Sequence, residues 1–179
     1  MKRATLELLC CPRCGAGLSL RDEGSSGLVD DGELFCPECD RSFPIRNGIA
    51  QFISPQDLEG LDRRLARFYE RFSRLEAVLD KLSFLSMGGE RKARAEILER
   101  LELSGGRVLE VSIGAGANLP YLFESAKVGE IYGLDISAAQ LARCRKLVGT
   151  RGWPVDLFLG MAEELPFREE SFDNVFHIG

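Results

Sequence analysis

Apolar positions change period twice along the chain, and the changes divide it. Up to residue 53 they come in short runs, such as Phe43-Pro-Ile and Ile49-Ala-Gln-Phe on either side of Asn47-Gly48. That pattern predicts a β-hairpin, and Asp31-Gly32 predicts another turn of the same kind. From Ser54-Pro-Gln-Asp57, a capping box with proline at the first helical position, the spacing becomes helical. Leu58, Leu61, Leu65, Phe68, Phe72, Leu75, Leu79 and Leu82 then recur at steps of three and four. This seam reads first as a helix packed on its own protein, with a coiled-coil dimer as the alternative. Met87-Gly-Gly89 interrupts it, a second helix is predicted from about Glu90 to Leu103, and Gly105-Gly106 ends that helix.

Beyond residue 105 the apolar runs are nearly continuous. Arg107 to Ile113, Glu130 to Asp135, Val155 to Leu159 and Phe172 to Ile178 predict strands buried on both faces, as in a parallel sheet. Helices are predicted between them, one starting at Asn118-Leu-Pro and one from the capping box of Ser137 and Gln140 to Val148. Cys144 falls on the apolar side of the latter with Leu141, so it reads as core. A turn at Gly152-Trp-Pro154 precedes the third strand. The fold class is therefore α/β: a small β unit over 1–53, a helical connector over 54–104, and the first half of a Rossmann-like parallel sheet over 105–179.

The small β unit carries two CxxC knuckles, Cys11-Pro-Arg-Cys14 and Cys36-Pro-Glu-Cys39. Each puts two thiolates on one tight turn, and the pair completes a tetrahedron around a structural zinc ion. A segment of this size lacks the core to fold unaided, so the metal supplies folding energy. Four thiolates leave no open coordination position, which argues against a catalytic metal. Cys10 is a spare. A redox dithiol is the competing reading, and it has no use for two matched pairs.

The first predicted strand of the α/β part runs into Gly114 and Gly116, which allow a tight turn and leave backbone open to a ligand. Asp135 ends the next strand roughly twenty residues on, where an acid meets a ribose hydroxyl pair. A dinucleotide fingerprint wants glycine or alanine three residues after Gly116, and Leu119 stands there. Glu110 precedes the turn; an acid there repels a pyrophosphate but suits a ligand bearing an ammonium group. S-adenosylmethionine (SAM) has that chemistry, and a nicotinamide-dependent oxidoreductase is the less favoured alternative.

At these residues the chain resembles the class I SAM-dependent methyltransferases, in particular the group that includes quinone-biosynthesis and lipid methyltransferases. The resemblance is carried by Glu110-Val-Ser-Ile-Gly114-Ala-Gly116, Gly133-Leu-Asp135-Ile-Ser, Gly160-Met-Ala-Glu-Glu-Leu-Pro-Phe167 and Ser171-Phe-Asp-Asn-Val175. It implies that Glu110, Gly114 and Gly116 lie against the methionine part of the cofactor, with Asn118 opening the helix behind them. It implies Asp135 at the ribose, Ile136 on the adenine, and Met161, Ala162 and Glu163 along the adenine edge. Two positions depart from the pattern: Ser112 replaces its first glycine, and Met161 replaces an acid that contacts the adenine amino group. Tyr69 is implied near the cofactor's carboxylate. The N-terminal unit resembles the small zinc-ribbon activators that pair with methyltransferases in archaea and eukaryotes.

Composition adjusts this picture only slightly. The 179 residues are 45% hydrophobic, enough for a core, and the net charge of −5 gives no general attraction to nucleic acid. Arg63, Arg67, Arg71 and Arg74 could face RNA, but Glu59 and Glu70 pair with this stripe at helical spacing, as on a solvated face. Neither a secretory signal nor a run approaching roughly 20 apolar residues is visible, and with six cysteines and no sign of export the expectation is a cytoplasmic protein.

Four predicted strands are fewer than the resembling family's sheet contains. The fourth is expected to present an open apolar edge, so that either the chain is a piece or another chain completes it. Self-association through that edge or through the 58–82 helix is the corresponding expectation. His177, at the carboxyl end of the fourth strand, is a candidate substrate contact or base. The residues after Asp173 do not spell the Asn/Asp-Pro-Pro-Tyr run of amino-group methylases. The expected reaction is methyl transfer from SAM to a small molecule, lipid or RNA base. The alternative is a non-catalytic module in which ribbon and helix dock a partner.

Overall fold

A single sheet of eight strands joins the N-terminal unit to the α/β part. The computed structural model describes residues 1–21, 24, 26–54, 90–101, 103, 105–124 and 129–178. The Leu58 to Leu82 seam, the arginine stripe, Tyr69 and Met87-Gly-Gly89 lie outside the described residues. The strands are β1 (Ser19–Arg21), β2 (Gly32–Phe35), β3 (Ser42–Arg46), β4 (Ile49–Gln51), β5 (Arg107–Val111), β6 (Glu130–Asp135), β7 (Val155–Leu159) and β8 (Asn174–His177). The helices are α1 (Glu90–Glu99), α2 (Leu119–Glu124) and α3 (Ala138–Arg151), and a 3-10 helix covers Arg3–Leu8.

The strand order is β1-β2-β3-β4-β7-β6-β5-β8. β1 to β4 form an antiparallel meander, and β7, β6, β5 and β8 are parallel to one another. The junction is parallel: Ile49, Ala50 and Gln51 lie opposite Leu157, Phe158 and Leu159, and the Phe52 N–H donates to the Leu159 carbonyl at 2.8 Å. The sequence predicts a small β unit separate from the parallel sheet; in the structure its β4 extends that sheet. β8 lies at the far edge beside β5, with Val175 56% exposed there. The fourth strand of the α/β part, Asn174–His177, is shorter than the predicted Phe172 to Ile178 run.

Side chains alternate between the two faces of the parallel strands. Val108, Ile131, Val155, Leu157 and Leu159 face a core built with Leu98 of α1, Leu119 and Leu122 of α2, and Leu141, Cys144 and Val148 of α3. Leu109, Val111, Tyr132, Leu134 and Phe158 face the other way, into a core shared with Met1, Leu8, Leu9, Leu34, Phe43, Ile45 and Phe52. Parallel sheets need both faces covered. Among the described residues, helices cover one and the ribbon with its N-terminal segment covers the other.

Polar contacts fix this second layer. Asp156 of β7 is 3% exposed; its carboxylate accepts from the Lys2 N–H at 2.8 Å and from the Thr5 hydroxyl. The Met1 ammonium donates to the carbonyls of Val29 and Gly48, both at 3.0 Å. Further along, Cys10 N–H donates to Pro166 O at 3.1 Å and Arg168 N–H to Leu8 O at 2.8 Å, with Leu9 and Phe167 bridged between them. Aromatic rings run across the same layer, from Phe43 through Phe52, Phe158, Phe167 and Phe172 to Tyr132, with neighbouring centroids 4.8–6.5 Å apart.

Several boundaries moved for identifiable reasons. Asn47-Gly48 makes the predicted hairpin turn, both residues having positive φ, at 50° and 73°. Asp31-Gly32 does not: Gly32 is already in β2, opposite Ile45, and the β1–β2 connection takes up the residues before it. α3 runs on to Arg151 because Gly149 is accommodated inside it and Gly152, at φ 66°, provides the left-handed cap. α1 ends at Glu99, short of the predicted Leu103. Gly106 (φ 75°) lets the chain pass Asp173, whose carboxylate oxygen would stand 2.1 Å from a Cβ at that position and accepts from the Arg107 N–H at 2.7 Å. That contact ties the start of β5 to the entry of β8.

Candidate cofactor site and metal centre

The candidate site lies at the carboxyl ends of β5 and β6, where open α/β sheets bind ligands. β5 ends at Val111 and the chain turns through Ser112 (φ 59°), Gly114 (φ 56°) and Gly116 (φ 84°). Ser112 thus takes up the left-handed conformation that glycine supplies in the resembling pattern, at a cost of roughly 1 kcal/mol. Ile113 folds back over β6: its N–H donates to Leu134 O at 3.1 Å, and its side chain occupies the space beside Gly133. The two glycines have different surroundings. A Cβ on Gly114 would meet nothing within 4 Å, whereas one on Gly116 would strike Leu119 and Cys144. Gly114 opens to space; Gly116 lets α2 pack down.

Asp135, 7% exposed, braces the turn. One carboxylate oxygen accepts from the Gly114 N–H at 2.7 Å and the other from the Ser137 N–H at 2.8 Å. Burial raises its pKa, against the lowering by these backbone donors. Ser137 caps α3 as predicted, its hydroxyl accepting from the Gln140 N–H at 3.3 Å, but its own N–H goes to Asp135.

Glu110, 1% exposed, lies one residue before the end of β5. Its Oε1 accepts from the Asn118 amide Nδ2 at 2.6 Å, and Asn118 Oδ1 accepts from Arg94 Nη1 at 2.8 Å. Glu110 Oε2 has no hydrogen-bond partner among the described residues. Burial pushes this carboxyl up to about 8; the Asn118 hydrogen bond and the Arg94 charge oppose the shift, and Asp135 adds to it. Asn118 was read as a helix cap. Its backbone carbonyl does accept from Tyr121 and Leu122, but its side chain turns to Glu110 and Arg94 instead.

The remaining residues implied by resemblance lie around the same sheet end. Gly160 N–H donates to Asp135 O at 3.0 Å, which brings Met161, half-buried, and Ala162 and Glu163, both exposed, next to Ile136. His177 is exposed on the edge strand, in register with Val111. A surface cleft of about 570 Å³ lined by Asp30, Asn47, Ile49, Ala142, Arg145 and Lys146 contains none of these residues and lies between ribbon turns and α3. Arg94 was not singled out from the sequence. The signal was present, since it precedes Ile97, Leu98 and Leu101 at helical spacing and so puts a cation on the apolar stripe of α1.

The four knuckle cysteines converge. Their sulfur atoms all lie within 4.8 Å of one another, with Cys11 to Cys39 at 3.7 Å and Cys14 to Cys36 at 3.5 Å. Sulfur atoms about 2.3 Å from a central tetrahedral zinc lie about 3.8 Å apart. The set fits zinc, and none of the four is in a disulfide. Cys10 and Cys144 are both buried outside the cluster.

Two family models match separate segments of the chain. Residues 2–48 match the family described as Trm112p-like protein, and residues 108–179 match the family described as Methyltransferase domain. The phthiotriol/phenolphthiotriol dimycocerosates methyltransferase 1 of Mycobacterium ulcerans is 41% identical over 78 residues, 44% of this chain and 28% of that protein. An uncharacterized methyltransferase of Synechocystis is 36% identical over 101 residues, 55% of this chain and 44% of that protein. The crystal structure of an S-adenosylmethionine-dependent methyltransferase from Clostridium acetobutylicum superposes with a TM-score of 0.47 at 18% identity, covering 59% of this chain and 43% of that one. The chain spans less than half the length of these relatives. Its N-terminal segment is thus similar to Trm112p-like proteins and its C-terminal segment to methyltransferase domains.

Proposed function

We propose that residues 105–179 form the SAM-binding half of a methyltransferase, served by the zinc ribbon of residues 1–53 through a connector over 54–104. The observation that carries this reading is the pair of buried carboxylates, Glu110 and Asp135, on either side of a turn whose Gly114 opens to space. Glu110 Oε2, buried and without a described partner, suits the ammonium of an amino acid tail. Asp135, at the end of β6, suits a ribose hydroxyl pair. Leu119, fully buried beneath Gly116, occupies the position a dinucleotide site keeps small.

When bound, SAM supplies a methyl group on a cationic sulfur, open to in-line attack. The chain's contribution is to hold the cofactor and exclude water, with Glu110 and Gly114 at the amino acid tail, Asp135 at the ribose, and Ile136 and Met161 to Glu163 at the adenine. The ribbon supports the last of these. Its residues Leu8 to Cys10 hold Pro166 to Arg168, just downstream of Glu163. The acceptor is a small molecule, a lipid or an RNA base. Similarity to the phthiotriol/phenolphthiotriol dimycocerosates methyltransferases favours a lipid.

Calorimetry with S-adenosylhomocysteine tests the reading. Micromolar binding that Asp135→Ala weakens at least tenfold is expected. No heat at high micromolar cofactor, or an Asp135→Ala protein indistinguishable from wild type, overturns it.

A further inference from the structure

This inference rests on the SAM reading and concerns how the site handles charge. The hydrogen bonds around Glu110 have a definite polarity. Arg94 is a donor only, so Asn118 must turn its oxygen toward Arg94. That leaves the amide nitrogen facing Glu110 Oε1, where it can only donate. An amide held this way favours the carboxylate over the neutral acid. Released from Arg94, Asn118 could rotate and present its oxygen, which favours the neutral acid.

Other groups set the balance. Asp135 on β6 opposes ionisation of Glu110, and Cys144 on α3 is a neutral thiol, itself pushed up to about 12 by burial and by the two acids. β8 places the apolar Phe176 opposite Glu110, and Arg94 on α1 is the cation among the described groups that act on it. Among the described residues, Glu110 Oε2 has no partner for a negative charge.

We propose that Arg94 is a positioning residue that, through Asn118, sets the ionisation of Glu110, so that a ligand's ammonium group enters the site in exchange for the Glu110 proton. The balance is simple. The ammonium arrives and leaves unchanged, the carboxyl O–H bond breaks, and the proton goes to solvent. Around neutral pH the raised pKa of Glu110 keeps this carboxyl protonated in the absence of ligand, and cofactor affinity then depends on pH through one group.

The test is calorimetric titration of the chain with S-adenosylhomocysteine from pH 6 to pH 8.5, where the ligand's own amine stays protonated. Wild-type affinity should rise about tenfold per pH unit below a single midpoint and level off above it. Glu110→Gln should flatten the profile, and 5′-methylthioadenosine, which lacks the amino acid tail, should give a flat profile with wild type. Arg94→Met should move the midpoint up by roughly one unit, so that its affinity still climbs about tenfold per unit at pH 8.5 where wild type is levelling off, and Arg94→Lys should restore part of the levelling. A purely structural Arg94 would weaken binding equally at every pH and leave the midpoint in place, and that result overturns the proposal. Wild type alone provides a second measure. In buffers of different ionisation enthalpy near neutral pH it should release most of a proton on binding, and zero release overturns the proposal while leaving the SAM reading intact. No binding at any pH overturns both.

Discussion

Ala50 of the ribbon lies opposite Phe158 of the α/β sheet in parallel register, and both are fully buried. A zinc ion bound by the four knuckle cysteines would therefore also support an edge of the larger sheet. Stripping zinc with a strong chelator, or Cys36→Ser, should remove order from β1 to β4 and expose the face of β5 to β7 that carries Tyr132, Leu134 and Phe158. The checks are a chromophoric zinc assay giving about one equivalent per chain, and dye binding together with circular dichroism after chelation. A chelated protein with an unchanged spectrum and melting curve would show that the ribbon folds without metal.

Ser112 at φ 59° is a serine in a glycine's conformation. Ser112→Gly should relieve that strain and raise stability by up to about 1 kcal/mol, less the chain entropy that glycine adds to the unfolded state. Urea denaturation measures it. Destabilisation instead would mean that the serine hydroxyl makes a contact worth more than the strain.

The Asp156 carboxylate holds the backbone of Lys2 and the hydroxyl of Thr5 in a buried setting. Asp156→Ala should cost about 2–4 kcal/mol, because both donors lose a partner away from water. Limited proteolysis should then cut within the first ten residues earlier than in wild type. An unchanged cleavage pattern would place the anchoring of this segment in its apolar contacts.

Glu110 gives stability a pH dependence of definite sign. Its carboxyl titrates near 4.5 when unfolded and is pushed up to about 8 in the fold, so between those values the folded chain binds more protons. Stability contributed through this group should fall as pH rises across that window. Glu110→Gln has no such slope, so its melting temperature relative to wild type should climb from pH 5 to pH 8. A constant difference would mean that the native carboxyl is ionised throughout.

The strands of the α/β half and both knuckles were legible because each is set by local pattern: unbroken apolar runs, glycine turns and paired cysteines. The junction of Ile49–Gln51 with Leu157–Leu159 was not. Nothing in a short apolar run says which distant strand it will meet, and Ile49-Ala-Gln-Phe looks complete as half of a hairpin. The same holds for Asp156, which in sequence is one polar residue in a strand and in the fold anchors the N-terminal segment. Asn118 misled for a different reason. Its position at a helix start is occupied as the pattern predicts, but a buried acid and a buried cation outcompeted the cap for its side chain. Glu110 and Asp135 were legible as a pair; that Arg94 would reach the first through Asn118 required the packing of α1 on α2.

Because β4 and β7 belong to one polypeptide, their pairing is insensitive to dilution. A ribbon supplied as a separate molecule would have to reach the effective concentration that a covalent link provides. In this chain the two parts cannot be produced in unequal amounts, and loss of a bound metal would be a route to their separation that needs no competitor.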